Sequence, residues 1–142
     1  MQRHMDNTRA LLDFLTTHED VAWVRHPDLP DHPGHDIAKR LMPRGAGSII
    51  AFGVKGGREA GRAFIEAVEL SSHLANVGDA KTLVIHPAST THSHIDADAM
   101  KAGGLSDDMI RLSVGLEDVA DIKADFESGF KAARRVAAEE QR

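Results

Sequence analysis

The sequence predicts an α+β domain in which a four-stranded, mainly antiparallel sheet is covered by helices on one face. Three observations support this fold class. Four short runs have the apolar or alternating character of strands, the helical segments each carry one apolar stripe, and the order of elements lacks the strand–helix–strand repeat of a parallel sheet. The predicted strands cover residues 21–24, 48–54, 82–85 and 110–114.

Helices are predicted before, between and after these strands because apolar residues recur there every three or four positions. Asp6 or Asn7 can cap the first helix, and the last is expected to fray beyond Lys131, where the sequence becomes charged. The predicted helices cover residues 6–17, 36–41, 58–70, a short segment capped by Ser106 and a long one capped by Asp118.

The second predicted strand is apolar on both faces. Residues 49–52 read Ile-Ile-Ala-Phe, without the polar alternation of a sheet that has one face in water. We therefore expect part of the second face of the sheet to be buried by another domain or a partner.

Composition limits the class of protein. The 142 residues fit one domain, 1–142, that can bury roughly two-thirds of its unfolded surface without disulfides. The absence of cysteine excludes a thiolate metal site and favours a reducing, cytoplasmic location. A net charge of -5 with dispersed Lys and Arg argues against a nucleic-acid partner. No apolar run approaches the roughly 20 residues that span a membrane, so no membrane partner is expected.

Residues 74–92 have the composition of a functional site. They combine a turn, a short apolar strand ended by Pro87, and a patch of hydroxyl and imidazole side chains. A strand that ends in a polar loop is a common place for a site. This stretch is therefore the first candidate for function.

A metal site and a phosphate cradle find little support in the sequence. Six of the nine histidines form two groups, within residues 26–35 and 86–94, but zinc sites typically use three or four ligands and the nearby aspartates lie in a polar turn. The glycines of residues 45–57 match neither the dinucleotide-binding nor the P-loop spacing. We expect them to be turn residues, and we expect no metal.

Two catalytic arrangements are also disfavoured. Ser89, His92 and Asp96 lie close together in sequence, but no Gly-x-Ser-x-Gly elbow orients the serine. Lys55 and Lys81 could form a Schiff base only if buried, and both lie in turns beside glycine or aspartate. No catalytic residue is therefore assigned within this chain.

Arg111 is the strongest single candidate. A guanidinium in the middle of a strand needs an anion because burying it unpaired is costly, and its fork matches a carboxylate through two hydrogen bonds. The residues alone leave two alternatives open, namely an exposed arginine on an edge strand and a structural ion pair with Glu117.

Three segments resemble the C-terminal domain of the pyridoxal-phosphate enzymes of cysteine and methionine metabolism. They are Ala-Asn-Val-Gly-Asp-Ala-Lys-Thr-Leu at 75–83, His-Pro-Ala-Ser-Thr-Thr-His at 86–92 and Ile-Arg-Leu-Ser-Val-Gly-Leu-Glu at 110–117. The first is most similar to the O-acetylhomoserine sulfhydrylases, since cystathionine synthases and lyases usually have a Ser-Leu-Gly turn there. The resemblance extends over nearly the whole chain.

The resemblance implies a fold-type I enzyme whose large N-terminal domain holds pyridoxal phosphate and the Schiff-base lysine. We expect that domain to be absent from this chain, which would then be inactive alone. In the complete enzyme, implied to be a homo-oligomer, sulfide or a thiol would replace the acetoxy group of O-acetylhomoserine. The products would be acetate and homocysteine or a thioether.

The resemblance also implies roles for three residues. Arg111 corresponds to the arginine that holds the substrate α-carboxylate, and Asn76 to the turn position, serine in relatives, that assists it. Thr91 matches the second residue of a motif, Met or Thr followed by Thr-His, that lines the pocket in the family. An alternative of a different class stays open: a free-standing binding or regulatory module that keeps the carboxylate pocket without catalysis.

Overall fold

The computed structural model describes residues 1–90, 96–140 and 142. Within these residues the fold consists of a five-stranded sheet, five α-helices and one 3-10 turn. The helices are α1 (Gln2–Thr17), α2 (His35–Leu41), α3 (Gly57–Ala67), α4 (Ala97–Ala102) and α5 (Val119–Glu140), and the turn is Pro87–Ser89. The strands are β1 (Val21–Arg25), β2 (Ile49–Val54), β3 (Ser72–His73), β4 (Leu83–Ile85) and β5 (Met109–Ser113), in the order β1-β2-β5-β4-β3.

The predicted α+β class and mainly antiparallel sheet are confirmed, but the sheet has five strands instead of four. The four predicted strands pair antiparallel with their neighbours. The extra strand, β3, pairs parallel with β4 at the edge, with Ser72 opposite Leu83. Two residues are too few to show the period-2 pattern by which a strand is recognised, so β3 left no signal in the sequence.

The core lies between one face of the sheet and the helices α1, α3 and α5. Phe52 on β2 meets Phe64 of α3 at a ring-centroid distance of 5.7 Å and Phe126 of α5 at 6.2 Å. All three rings are fully buried. Because successive strand residues point to opposite faces, the even positions of β5 enter this core and Arg111 lies on the other face.

Part of that other face is covered by the chain itself. The indole of Trp23 crosses Gly53, where any Cβ would overlap it, and its N–H donates to Asp108 at 2.9 Å. Ile49 and Ala51 on β2 stay half-buried. This face is thus covered in part by Trp23 of β1, and its cover by another domain or a partner stays a prediction.

The helices differ from the prediction in several places. Asn7 lies inside α1 instead of capping it, and the segment at Ser106 forms a turn instead of a helix. The last helix does not fray at Lys131, because Ala133 is buried against the core and Arg134 bonds Glu19 at 2.8 Å. Among the described helices, none is both long enough and apolar enough to cross a membrane.

Candidate functional site

Arg111 lies at the centre of the sheet. Its strand, β5, is flanked by β2 and β4, and its register partners are Ala51 and Ile85. The side chain is half-buried on the face opposite the helical core. The alternative of an exposed arginine on an edge strand is therefore wrong.

The alternative ion pair between Arg111 and Glu117 is also not formed. Glu117 instead accepts hydrogen bonds from Thr82, one from the backbone N–H and one from the hydroxyl, both at 2.7 Å. Within the described residues, no carboxylate lies within 4.0 Å of the guanidinium of Arg111. A guanidinium carries five N–H donors, so this one can receive an external anion.

Asn76 and Arg111, both singled out from the sequence, are brought together. An Nη2–H of Arg111 donates to the backbone carbonyl of Asn76 at 3.4 Å, while the Asn76 side-chain oxygen accepts the N–H of Val77 at 2.8 Å. Asn76 is exposed, and it is its backbone carbonyl that lies beside the guanidinium. Thr91, the third candidate, lies outside the described residues.

The loop that carries Asn76 runs beside the end of β5. The N–H of Gly78 donates to the hydroxyl of Ser113 at 3.3 Å, and Gly78 has a positive φ of 78° that favours glycine in this turn. Ser113 shares its sheet face with Arg111. On the sheet face opposite the helical core, the guanidinium is therefore bordered by the turn that contains Asn76 and Gly78.

His86 is a buried structural residue and not a pocket histidine. Its Nε2–H donates to the carbonyl of Asp107 at 2.6 Å, and its Nδ1 accepts the hydroxyl of Ser89 at 2.8 Å. The ring occupies the space that a Cβ on Gly61 would need. Burial lowers the pKa of His86, which keeps the ring neutral. Ser89 is thus engaged by His86, and His92 of the disfavoured triad lies outside the described residues.

The histidines within residues 26–35 stabilise turns by hydrogen bonds to the nearby backbone. The Nδ1 atoms of His26 and His32 each accept the backbone N–H two residues ahead, at 3.1 and 2.9 Å. His35 donates from Nδ1 to the carbonyl of Pro27 at 2.8 Å. Burial lowers the pKa of His26. No cluster of three or more metal-ligating side chains occurs in the part of the chain that the structure describes.

The lysines do not provide a site for a Schiff-base cofactor. All of them are exposed except Lys123, which is half-buried on α5. Lys123 lies 5.9 Å from the centre of the Phe14 ring, on the helical side of the sheet and away from Arg111. The described residues therefore fit the carboxylate end of an amino-acid substrate, but they do not fit covalent attachment of pyridoxal phosphate.

Comparisons with known proteins find relatives that match most of this chain. The O-acetyl-L-homoserine sulfhydrylase 1 of Thermus thermophilus is 49% identical over 129 residues, which are 91% of this chain and 31% of that protein. The L-methionine gamma-lyase of Fusobacterium nucleatum subsp. polymorphum is 44% identical over 131 residues, 92% of this chain and 33% of that protein. This chain spans about a third of the length of these curated relatives.

A solved structure shows the same fold. The crystal structure of cystathionine gamma synthase from Xanthomonas oryzae pv. oryzae in complex with cystathionine superposes with a TM-score of 0.86 at 34% identity. The match covers 96% of this chain and 35% of that one. A family model described as Cys/Met metabolism PLP-dependent enzyme matches residues 1–131. The chain therefore belongs to the family of pyridoxal-phosphate-dependent enzymes of cysteine and methionine metabolism.

Proposed function

We propose that this chain is the C-terminal, substrate-carboxylate domain of an enzyme that converts O-acetylhomoserine and sulfide or a thiol into acetate and homocysteine or a thioether. The observation that carries the proposal is the half-buried guanidinium of Arg111, which has no carboxylate partner among the described residues. In this proposal an N-terminal domain of the same enzyme holds the cofactor, and the complete enzyme is a cytoplasmic homo-oligomer.

Two findings favour γ-replacement over the other reactions of the family. The relative named for O-acetyl-L-homoserine is 49% identical to this chain, and the relative named as a lyase 44%. The loop at residues 75–81 reads Ala-Asn-Val-Gly-Asp-Ala-Lys, which resembles the sulfhydrylases at the turn beside Arg111. This turn borders the proposed carboxylate site, where a change of side chain would alter the shape offered to the substrate.

The role of Arg111 is to bind and orient. Its two parallel N–H groups match the two oxygens of an α-carboxylate, and the exposed side-chain amide of Asn76 would add a donor. Holding the carboxylate at a fixed place on a rigid central strand limits the orientations of the amino acid, which lowers the entropic part of the activation barrier. The chain thereby positions the substrate for chemistry performed elsewhere in the enzyme.

The proposal is tested with Arg111→Ala in the complete enzyme that contains this chain. We expect kcat/KM for O-acetylhomoserine to fall by about ten- to a hundredfold, the scale of charge-assisted hydrogen bonds worth about 1.5–3 kcal/mol. Arg111→Lys keeps the charge but loses the fork, so we expect an intermediate loss. Steady-state kinetics at varied O-acetylhomoserine measure both variants.

Arg62→Ala is the matched control. Arg62 is exposed on α3 and paired with Glu66 at 2.9 Å, so its removal should leave kcat/KM unchanged. An unaltered kcat/KM in Arg111→Ala would refute the carboxylate role of Arg111.

A further inference from the structure

Glu117 joins two segments that meet only in the folded chain. Its carboxylate takes both hydrogen bonds that Thr82 can donate, at 2.7 Å each, and Thr82 is fully buried. The Thr82 hydroxyl in turn accepts the N–H of Gly115 at 3.0 Å. We call these contacts among Thr82, Gly115 and Glu117 the loop clamp.

The clamp draws the two backbones into direct contact. A Cβ at Gly115 would overlap the backbone of Lys81 and Thr82, so no residue larger than glycine fits there without displacement. Next to this contact the N–H of Leu116 donates to the carbonyl of Ala80 at 2.8 Å. The end of β5 and the residues before β4 are therefore held together along several consecutive positions.

Helix α1 supports the clamp from behind. The side-chain amide of Asn7, which is buried, donates to the carbonyls of Gly115 and Glu117 at 3.0 and 2.9 Å. The ring of His4 donates from Nε2 to the carbonyl of Asp79 at 3.0 Å. The segment before β4 and the segment after β5 are thus both hydrogen-bonded to α1.

The contacts nearer the substrate site are weaker. The bond from Arg111 to the Asn76 carbonyl is 3.4 Å long, and the bond from Gly78 to Ser113 is 3.3 Å long. The charge-assisted bonds of Glu117 are much shorter and partly shielded from water, so they contribute more to holding the loop. The position of Asn76 relative to Arg111 is therefore set mainly at the clamp, six residues beyond Asn76.

We propose that Glu117 and Thr82 are positioning residues for recognition of the substrate α-carboxylate, because they hold the Asn76 loop at the correct distance from Arg111. This inference rests on the proposed function. Neither residue touches the guanidinium, so their effect on binding passes through the loop. Loosening the clamp lets Asn76 and its neighbours shift, which removes a donor from the carboxylate while the charge of Arg111 stays in place.

The test uses Thr82→Val and Glu117→Gln in the complete enzyme. Thr82→Val removes the hydroxyl from both of its hydrogen bonds, and Glu117→Gln keeps one acceptor but cannot accept from the hydroxyl with its amide nitrogen. We expect KM for O-acetylhomoserine to rise about tenfold, with a smaller change in kcat, because misplacement by less than an ångström weakens orientation. The double variant should be no worse than either single one, since all three disrupt one unit.

The probes separate carboxylate recognition from general damage. L-Norvaline is an α-amino acid without a leaving group, and n-butylamine is the same molecule without the carboxylate. In both variants we expect the inhibition constant of norvaline to rise about tenfold and that of butylamine to stay unchanged. Thr82→Ser retains the hydroxyl, so the inhibition constant of norvaline should stay at the value of the parent enzyme. Glu66→Ala, at an exposed glutamate of α3, should alter neither inhibition constant.

The outcomes distinguish this inference from the proposed function. If Arg111→Ala weakens the binding of norvaline but Thr82→Val and Glu117→Gln do not, the clamp has no positioning role and the carboxylate site stands. If the binding of norvaline and the binding of butylamine weaken together in the clamp variants, the clamp is only structural and the inference is overturned. If Arg111→Ala leaves norvaline binding unchanged, the carboxylate site itself is wrong.

Discussion

Asp125 on α5 shows how one carboxylate orders a connection between elements. Its Oδ1 accepts the N–H groups of Glu69 and Leu70 at 2.7 and 3.0 Å, and its Oδ2 accepts the N–H of Ser71 at 2.8 Å. These three successive amides lie between α3 and β3, where no helix or strand partner satisfies them. The carboxylate therefore sets the path by which the chain enters the edge strand.

Asp125→Ala should lower the free energy of unfolding of this chain by about 1–2 kcal/mol. The cost of unsatisfied donors is about 1–3 kcal/mol, and water reaches part of this site. Asp125→Asn keeps one oxygen acceptor and should lose less. Urea unfolding measures both, with Asp121→Ala on the exposed side of the same helix as control. Equal stability of Asp125→Ala and Asp121→Ala would show that the three bonds contribute nothing.

At the scale of elements, the packing of α3 against α5 depends on a glycine. A Cβ on Gly129 would come 2.6 Å from the ring of Phe64. That ring is itself enclosed, with centroids of Phe126 at 5.4 Å and Phe130 at 4.9 Å. The two helices can therefore approach this closely only where one side chain is missing.

Gly129→Ala should destabilise the chain despite the better helix propensity of alanine. The propensity gain is about 1 kcal/mol, whereas forcing a methyl group into a packed core costs about 1–3 kcal/mol. We expect a net loss of about 1 kcal/mol in urea unfolding. Ser128→Ala, at the exposed neighbouring position, should change stability by less than about 0.5 kcal/mol. A more stable Gly129→Ala would mean that the Phe64 ring moves freely.

At the scale of the whole molecule, two buried histidines link stability to pH. Burial lowers the pKa of both His26 and His86 from the usual value near 6.5. As pH falls below about 6.5, the unfolded chain binds protons that the native chain does not, so the native state loses stability. The contribution of these residues is thus fully present above that pH and declines towards the lower native pKa values.

Urea unfolding between pH 7.5 and 5.5 tests this linkage. The free energy of unfolding should be nearly constant above pH 7 and then fall, with a limiting slope of about 1.4 kcal/mol per pH unit for each histidine. His26→Gln and His86→Gln should each give a shallower fall than the parent chain. A parent chain whose stability does not change over this range, or variants with its full slope, would contradict the role of burial.

The parts of the fold that were predictable have strong local signals. Residues 48–54 and 110–114 are long enough to show a strand pattern, and both form strands. β3 has two residues and exists only because Ser72 meets Leu83 across the sheet edge. The continuation of α5 past Lys131 likewise depends on contacts with distant elements, which no local pattern records.

The sequence by itself determined the fold class, the family resemblance and the choice of Arg111 and Asn76 as candidates, because strand patterns and short motifs are local properties of the chain. Only the tertiary structure decided that Arg111 has no carboxylate partner among the described residues and that Glu117 serves Thr82 instead. Glu117 lies 35 positions from Thr82, and their hydrogen bonds form because strand pairing places β5 beside β4. Which charge meets which donor is therefore a consequence of sheet topology.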